Sequence, residues 1–452
     1  MPLLRRCLPA LLAVALLVLA STARDAHAAD APPPAGRDWP QFLGPARNGS
    51  YAGGDIPGWP AGGPKELWKV DVGEGWAGPV VVDGKVLQFH RVKDEAVLDC
   101  LDAATGKPVW SSRYPTDYVD GFGFDAGPRA TPAVAGGKVF TFGAEGVLRA
   151  VDLATGKEVW KVDTVAKHKA QKGFFGLACS PLVVGDEVVV TLGGVSQAGA
   201  KDPYPMGTAA FAVGTGRFLW GSTVGVPASG QSEPSYASPT VATIGGETFV
   251  LAVARTQVQA IKADGGKLVA VIPFRSREHA SVHGATPLVI GDEVFVSSSY
   301  GVGAKLFRLE PIPKDDPAEP RAKMLRPTVV WENDESMSNH YATCVVRDGL
   351  LYGFHGRQER GPELRCVEWG TGKVRWSQEG LGAGTVTLVG DKLLVLTEKG
   401  ELVMAEASAA GFKELGRRQV LGAETRAYPA VAGGRVFARG KDRLVCLSLT
   451  EK

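Results

Sequence analysis

Side chains able to bind a ligand stand at corresponding places along this chain. Each comes three or four residues before an equivalent position of a repeated phrase, and the set comprises Trp76, Arg129, Tyr236, His283, His340 and Arg426. Guanidinium groups and aromatic rings suit an anionic or a planar ligand, through ion pairs, cation–π contacts and stacking. These six residues are therefore the predicted ligand-binding set, and the sequence assigns no catalytic residue.

Most of these residues also have a purely structural interpretation. Trp76 and Tyr236 could fill a channel, and Arg129 and Arg426 could pair with the nearby acids Asp125 and Glu424. His279 and His283 are spaced to share one face of a helix, but a loop is expected there, so no metal site is predicted. No His/Cys cluster has zinc spacing, and there is neither a nucleophile elbow nor a phosphate-binding loop.

The elements that must position these residues are eight copies of one unit. The copies align on Pro79, Pro132, Pro181, Pro239, Pro287, Thr343, Val386 and Pro429. An apolar run, a two-residue turn such as Gly136-Gly137 and a second apolar run follow each position, which is the pattern of a β-hairpin. Two further strands around a Thr-Gly turn complete the unit. The fold class is therefore all-β, an eight-bladed β-propeller of four-stranded antiparallel blades; an open solenoid is the alternative.

A tryptophan recurs at the end of the outermost strand, in Trp110, Trp160, Trp220, Trp331 and Trp376. Aromatic stacking on a ligand is one interpretation of this set. Packing against the neighbouring blade is the favoured one, because a large flat side chain at the same place in each blade can seal the seam. The fourth and seventh blades lack the tryptophan and have Phe274 and Leu415 nearby.

The last repeat supplies only three strands, and residues 65–70, which contain Trp68, are predicted to complete it. Residues 65–452 then form a single propeller domain. Residues 29–64 are rich in Pro, Gly and Ala and are expected to wrap the outside of the ring as an extended lead-in segment. Residues 1–28 resemble a signal peptide, with Arg5 and Arg6 before an apolar stretch; a retained membrane anchor is the alternative, although the stretch is short for one.

Composition then limits where the chain works and what it binds. Removing residues 1–28 removes three Arg and one Asp and leaves 47 basic and 47 acidic residues, so bulk charge favours neither nucleic acid nor an anionic membrane. The protein is expected to be exported, periplasmic or secreted, soluble after cleavage, without a transmembrane domain, and monomeric. Of the five remaining cysteines, Cys100 and Cys446 form the only pair considered for a contact, and buried thiols are expected.

The repeated phrase, typified by Thr131-Pro-Ala-Val-Ala-Gly-Gly-Lys-Val-Phe140 and Val151-Asp-Leu-Ala-Thr-Gly-Lys-Glu-Val-Trp160, resembles the PQQ-like repeat of the quinoprotein alcohol dehydrogenase-like superfamily. The opening segment from Asp38 resembles that of its exported members without an assigned function, and the resemblance covers residues 38–449. It also extends, in the repeats alone, to the propeller lipoprotein of the outer-membrane assembly machinery, although no lipobox follows the leader.

The resemblance implies two functions. A quinoprotein dehydrogenase acting on alcohols or sugars would hold PQQ and calcium in its central funnel, with a vicinal disulfide, a stacking Trp and an Arg or Lys. This chain has no adjacent cysteines and no Cys-x-x-Cys-His haem signature. We therefore expect a binding or scaffold module without a redox cofactor, which holds a protein partner or a small or polymeric ligand on the loops around the channel. Whether the protein is an enzyme stays open, and a PQQ-dependent oxidoreductase is the alternative.

Overall fold

The structure, a computed structural model, describes residues 38–51, 53, 59, 62–193, 206–223, 235–276, 278, 281–313 and 324–450. The predicted signal peptide, residues 1–28, and His279 lie outside this part of the chain. Strands β1 (Ser50–Tyr51) and β2 (Lys65–Asp71) precede the first complete blade. No helix among the described residues is long and apolar enough to span a membrane.

Blades one to four follow in chain order, and each is a four-stranded antiparallel sheet. Blade one has β3 (Val80–Val82), β4 (Lys85–Val92), β5 (Glu95–Asp102) and β6 (Pro108–Pro115). Blade two has β7 (Ala133–Ala135), β8 (Lys138–Phe142), β9 (Val147–Asp152) and β10 (Glu158–Asp163), followed by the short helix α1 (Thr164–His168). Blade three has β11 (Leu182–Val184), β12 (Glu187–Thr191), β13 (Met206–Ala212) and β14 (Phe218–Thr223). Blade four has β15 (Thr240–Ile244), β16 (Glu247–Val253), β17 (Gln257–Lys262) and β18 (Leu268–Pro273).

Blades five to eight complete the ring. Blade five has β19 (Leu288–Ile290), β20 (Glu293–Ser298), β21 (Gly303–Pro311) and β22 (Leu325–Asn333). Blade six has β23 (Val345–Arg347), β24 (Leu350–His355), β25 (Glu363–Glu368) and β26 (Val374–Gln378), with a short 3₁₀ turn at Gln358–Arg360. Blade seven has β27 (Gly384–Val389), β28 (Lys392–Thr397), β29 (Glu401–Glu406) and β30 (Glu414–Gln419). Blade eight has β31 (Ala430–Ala432), β32 (Arg435–Arg439) and β33 (Arg443–Ser448), and its fourth strand is β2. The predicted eight-bladed, all-β propeller is confirmed.

The predicted closure of the ring is also confirmed. Strand β2 pairs antiparallel with β33, and Trp68 lies opposite Cys446. The pairing begins at Lys65 opposite Ser448 and ends at Asp71 opposite Arg443. The two ends of the propeller are therefore joined by one sheet, which leaves only short sheet edges exposed around the ring.

The tryptophans of the outermost strands fix the seams between blades. The indole N–H of Trp110 donates a hydrogen bond to the carbonyl oxygen of Leu153 in the next blade at 3.1 Å, and Trp160 donates to Val213 at 2.9 Å. Equivalent bonds are made by Trp68, Trp331 and Trp376, to Ala103, Trp369 and Ser408. Trp220 differs, because its indole donates to the Glu187 carboxylate of its own blade at 2.9 Å.

The glycine of the Thr-Gly turn makes room for the tryptophan of the preceding blade. Gly156 has φ +70°, and a Cβ built on it would lie 2.5 Å from Trp110 Cε3, far inside contact distance. A Cβ built on Gly216 would likewise lie 2.6 Å from Trp160 Cε3. The predicted structural role of the repeated tryptophans is thus confirmed, and the repeated glycines are part of it.

Strand register identifies the residues that stand where this tryptophan is missing. Trp160 pairs with Ala150, and the equivalent pairs are Ala270 with Ala260 in blade four and Gly416 with Met404 in blade seven. The fourth and seventh blades therefore lack the tryptophan, as predicted, and Phe274 and Leu415 lie near the seam position in sequence but do not occupy it. Phe274 is buried, whereas Leu415 is exposed.

In blade seven an indole from elsewhere in the chain approaches the empty position. A Cβ built on Gly416 would lie 3.4 Å from Trp59 Cε3, and Trp59 packs against the core shared by blades seven and eight. Trp59 belongs to the lead-in segment. The Trp59 ring therefore lies at ordinary contact distance from the position where the seam tryptophan is missing.

The Ser or Thr that precedes the repeated proline uses its hydroxyl oxygen to link neighbouring blades. The backbone N–H of Thr131 donates to Ser180 Oγ at 2.9 Å, and that of Ser180 donates to Ser238 Oγ at 2.8 Å, so each bond links one blade to the next. The backbone N–H of Thr286 donates the equivalent hydrogen bond to Thr343 Oγ1 at 2.9 Å. Thr343 therefore occupies the position of the hydroxyl residue in blade six, and not the position of the repeated proline. The predicted alignment of blade six is thus wrong by one residue.

The lead-in segment crosses the middle of the ring between residues 38 and 51, which corrects the expectation that it wraps the outside. Trp39 forms an isolated antiparallel β-bridge with Val81 of blade one, and the carbonyl oxygen of Pro40 accepts a hydrogen bond from the backbone N–H of Val134 in blade two. Further along, β1 pairs parallel with β27 of blade seven. The physical reason is that eight blades leave a central space, which the side chains of Trp39 and Leu43, each only 1% exposed, help to fill.

Arg47 fixes this segment from within. Its side chain donates to the carbonyl oxygens of Ser180 and Pro181 in blade three and to Gln41 Oε1. Burial lowers the pKa of Arg47 to about 10. On the side of blades four and five, residues 46–48 leave a cavity of about 330 Å³.

Candidate functional site

The candidate site lies on the face formed by the loops that lead into the first strands and the loops that join second and third strands; we call it the loop face. In blade one, Glu74 bridges Arg91 across these two loops, and the Gly73 N–H donates to His90 Nδ1 at 2.6 Å. The centre of the face has an apolar floor where the lead-in segment meets the ring. Phe42 packs edge-on against Tyr428, with 5.1 Å between ring centroids.

Three predicted residues meet at one indole. The guanidinium carbons of Arg129 and Arg426 each lie 4.9 Å from the ring centroid of Trp76, and Arg129 also lies 5.3 Å from the Tyr118 ring. The loops leading into blades one, two and eight supply Trp76, Arg129 and Arg426. We call these three residues the Trp76 cluster.

The positive charges of the Trp76 cluster are already balanced by carboxylates. Arg129 Nη2 lies 2.8 Å from Asp120 Oδ2, and Nη1 lies 3.8 Å from Asp125 Oδ1. The Arg129 and Asp120 side chains are 6% and 0% exposed, so this ion pair is part of the protein interior. Asp125 was the expected partner, and Asp120 is the nearer one.

Arg426 pairs with Glu398 at 3.0 Å, which corrects the suggested partner Glu424; Glu424 binds Lys441. The Tyr341 hydroxyl donates a hydrogen bond to the same Glu398 oxygen at 2.8 Å. Because both arginines are paired, the cluster presents stacked planar groups with little net charge. It therefore suits a planar or apolar group better than the anionic ligand that the sequence also allowed.

His340 lies beside this network and not in it. Tyr300 Oη is 2.7 Å from His340 Nε2, and the Arg357 guanidinium carbon lies 4.5 Å from the Tyr300 ring centroid. Burial lowers the pKa of His340 to about 4, so the imidazole is neutral at physiological pH. With the corrected alignment, Tyr341 occupies the position equivalent to Trp76, and His340 is the equivalent of His283.

His283 is deeply buried and makes contacts typical of a core residue. It is 2% exposed, packs edge-on against Phe274 at 5.5 Å, and has no hydrogen-bond partner at either ring nitrogen. Burial lowers the pKa of His283 to about 3. Its carbonyl oxygen accepts the backbone N–H of Tyr236 at 3.0 Å, while the Tyr236 ring lies 5.6 Å from Phe175. The structure thus brings Tyr236 and His283 together through the backbone and places the Tyr236 ring beside Phe175.

A family model described as outer membrane protein assembly factor BamB matches residues 60–298 and 360–451 of this chain. The chain belongs to this family. The matched ranges cover more than half of the sequence, and they include five of the six predicted residues. His340 falls between the matched ranges.

Solved structures agree with the fold of the BamB family. BamB from Moraxella catarrhalis is 13% identical, with a TM-score of 0.58 over 85% of this chain and 97% of that chain. Quinohemoprotein alcohol dehydrogenase from Comamonas testosteroni is 15% identical, with a TM-score of 0.51 over 92% of this chain and 81% of that chain. The computationally designed Ika8 protein is 12% identical, with a TM-score of 0.53 over 85% and 98%. At such identities these likenesses show the fold alone, and no curated protein sequence matches the chain.

This BamB family chain carries an aromatic platform that the sequence analysis missed. It consists of Phe122, Phe124, Phe174 and Phe175, from the loops leading into blades two and three. Phe122 and Phe124 stack with 5.7 Å between centroids, and Phe122 lies 5.5 Å from Phe174 and 5.6 Å from Phe175. The available signal was four phenylalanines in two loops outside the repeated phrase. Tyr236 joins the platform through Phe175.

The remaining reactive groups of the described chain give no second site. All five described cysteines are free and buried, so the considered contact between Cys100 and Cys446 is not a disulfide. Within the described ranges no group of three or more His, Cys, Asp or Glu residues is arranged to hold a metal ion.

Proposed function

We propose that this BamB family protein is an exported, non-catalytic binding or scaffold module that holds a protein partner on its loop face. The observation that carries the proposal is the construction of that face: a floor of Phe42 and Tyr428 under the Trp76 cluster, whose arginines are paired internally. A shallow, rigid, nearly neutral surface rich in aromatic groups is the composition found at the centre of protein interfaces.

The choice of a protein partner, among the ligands that the sequence allows, is supported by the family. Its model is described as an assembly factor of outer membrane protein, and such a role is carried out on other polypeptides. Tryptophan and arginine are also the residues most enriched among those that dominate binding energy in protein interfaces. Trp76, Arg129 and Arg426 are held by three different blades, so the surface is preorganised.

The quinone alternative fits the described residues poorly. A quinone with calcium would need an open ring face for stacking, an uncompensated cation and a set of oxygen ligands. Trp76 is stacked on two guanidinium groups, Arg129 and Arg426 are paired with carboxylates, and no metal-binding group occurs among the described residues.

Site-specific photo-crosslinking in the native host tests the proposal. A photoreactive amino acid at residue 76 is expected to give an adduct with a discrete polypeptide, identified by mass spectrometry. The matched control places the same group at Thr105, in an exposed turn of blade one between β5 and β6. Equal adducts at both positions, or none at either, would refute the proposed surface.

Two further measurements separate binding from catalysis. Changing Arg129 and Arg426 together to Ala should abolish the adduct at residue 76, because it removes the two guanidinium groups that pack against the side chain at this position. Adducts that persist in the double variant would count against this cluster as the centre of the interface. Reconstitution with PQQ and calcium should give neither bound quinone absorbance nor reduction of an artificial electron acceptor with alcohols or sugars; activity would establish the alternative.

A further inference from the structure

The aromatic platform places large apolar side chains in water. Phe122 and Phe124 are 53% and 62% exposed, and Val119 in the same loop is 68% exposed. Among the described residues, the other large hydrophobic side chains that are exposed lie on strands and are aliphatic, for example Val329 and Val330 at 48% and 40%. Exposed aromatic clusters on a soluble fold are a common mark of an interaction site.

The loop that carries Phe122 and Phe124 is held rigidly by a buried carboxylate. Asp120 accepts hydrogen bonds from the backbone N–H groups of Phe122 at 2.7 Å, Phe124 at 3.1 Å and Asp125 at 2.8 Å. Burial alone would raise the pKa of Asp120, but these bonds and the Arg129 guanidinium hold it below its usual range. The phenylalanines are therefore presented in a fixed arrangement, so a partner would not have to order them on binding.

Three exposed lysines lie in the connection that carries Phe174 and Phe175. Lys167, Lys169 and Lys172 precede Phe174 between β10 and β11. Among the described residues, none of these lysines pairs with a carboxylate, and Lys169 Nζ contacts the carbonyl oxygen of Ala166 at 3.4 Å. A partner that covers the platform would meet these ammonium groups at its edge.

We propose that the aromatic platform binds an extended polypeptide segment in which a stretch of apolar or aromatic side chains is followed by acidic ones. The apolar side chains would cover Phe122 and Phe124, and the acidic groups would pair with Lys169 and Lys172. The assignment rests on the proposed function, because it names the chemistry of the partner that the loop face holds. It adds a contact region distinct from the Trp76 cluster but joined to it through Asp120 and Arg129.

Fluorescence anisotropy with three short labelled peptides tests this assignment on the full-length protein. One peptide joins a stretch that contains Phe and Leu to a stretch that contains Glu, the second has Lys in place of Glu, and the third has Ser in place of Phe and Leu. The first should bind, and both others should bind at least about tenfold more weakly, because each lacks one of the two complementary features. Added salt should weaken the binding of the first peptide.

Variants then locate the binding. Changing Phe122 and Phe124 to Ser should weaken binding of the first peptide by about tenfold or more. Changing Val329 and Val330 to Ser is the matched loss of exposed apolar surface, and it should leave this binding unchanged. Changing Lys169 and Lys172 to Ser should remove the preference for the Glu peptide over the Lys peptide. Unchanged binding by the Phe variant, or a soluble chitin oligosaccharide that displaces the peptide and binds more tightly, would overturn the assignment.

The two proposals can fail separately. If no peptide binds the platform while residue 76 still crosslinks to a protein, the assignment is wrong and the proposed function stands. If the crosslinks also disappear, both are wrong. Because Phe122 and Phe124 are exposed, the thermal unfolding of their Ser variant should match that of the wild type, which separates lost binding from lost folding.

Discussion

The seam between blades one and two predicts that alanine is tolerated less well at Gly156 than at Gly84. Gly156 and Gly84 have nearly the same backbone conformation, with φ +70° and +69°. A Cβ on Gly156 would lie 2.5 Å from Trp110 Cε3, whereas a Cβ on Gly84 would have no atom within 4 Å. Gly156→Ala and Gly84→Ala therefore share the backbone cost and differ in the contact with the indole.

The magnitudes follow from these two terms. An alanine in the left-handed region costs about 1 to 2 kcal/mol, which is the whole expected effect of Gly84→Ala. Gly156→Ala adds the overpacking of a tight contact, about 1 to 3 kcal/mol. In a Trp110→Ala background the contact is gone, so Gly156→Ala should then cost about as little as Gly84→Ala. Trp110→Ala itself should cost roughly 3 to 5 kcal/mol, because it removes the indole and its 3.1 Å hydrogen bond to Leu153.

Equilibrium urea unfolding of the wild type, the three single variants and the Trp110→Ala, Gly156→Ala double variant measures the coupling. The m-value must be the same in all five proteins for the free energies of unfolding to be compared. A coupling free energy of about 1 kcal/mol or more between residues 110 and 156 is expected. Additive effects, or equal effects of Gly156→Ala and Gly84→Ala, would show that the glycine does not seat the tryptophan.

Three further outcomes are expected. Burial lowers the pKa of His283 to about 3 and that of His340 to about 4, so the unfolded chain binds more protons than the folded protein below pH 6.5. The free energy of unfolding should therefore fall by up to about 1.4 kcal/mol per pH unit for each histidine as the pH drops from 6.5 toward 4. His283→Leu should reduce this slope in urea unfolding. Burial raises the pKa of Cys100 to about 11 and that of Cys446 to about 12, so a thiol reagent such as Ellman's should label neither in the native protein and both after denaturation; rapid native labelling would contradict this. Deleting the chain up to and including Asp71 removes β2, and calorimetry should then show a broad, low-temperature transition in place of a cooperative one; an unchanged melting profile would refute closure by this strand.

The architecture could be predicted from the sequence because its signals are local and repeated. A Gly-Gly or Asp-Gly pair between two β-branched runs specifies a hairpin wherever it occurs, and eight such hairpins in one chain specify a ring. The seam tryptophans were predictable for the same reason, since Trp110 and Trp160 recur in one register. The residue that replaces the tryptophan in blades four and seven could not be named from the sequence, because the seam position is set by strand pairing, which selects Ala270 and Gly416 and not the nearby Phe274 and Leu415.

The site could be predicted only in part because its contacts join residues far apart in the chain. The unrepeated positions before each blade did identify Trp76, Arg129 and Arg426, which meet in the structure. Their counter-ions were predicted by closeness in sequence, yet Arg426 pairs with Glu398 of the preceding blade. His283 also belonged to the predicted set, and its burial could not be inferred from a loop sequence.

At blades seven and eight, other parts of the chain supply what the repeated pattern lacks. Blade eight lacks a fourth strand and receives β2. Blade seven lacks its seam tryptophan, which Trp59 approaches, and its innermost strand is flanked by β1. The hydroxyl link from Thr343 passes over blade seven to Tyr428 of blade eight.

These substitutions occur at blades seven and eight, and the two ends of the ring meet in blade eight. A repeat can stabilise only the seam with a neighbour of the same kind, so the closing seam is the one that repetition alone leaves incomplete. Strand β2 completes that seam, whereas the lead-in segment supports blade seven through Trp59 and β1 and places Phe42 against Tyr428 of the loop face. Support of blade seven and construction of the candidate binding surface therefore depend on the same segment, and a change that loosens residues 38–51 should weaken both together.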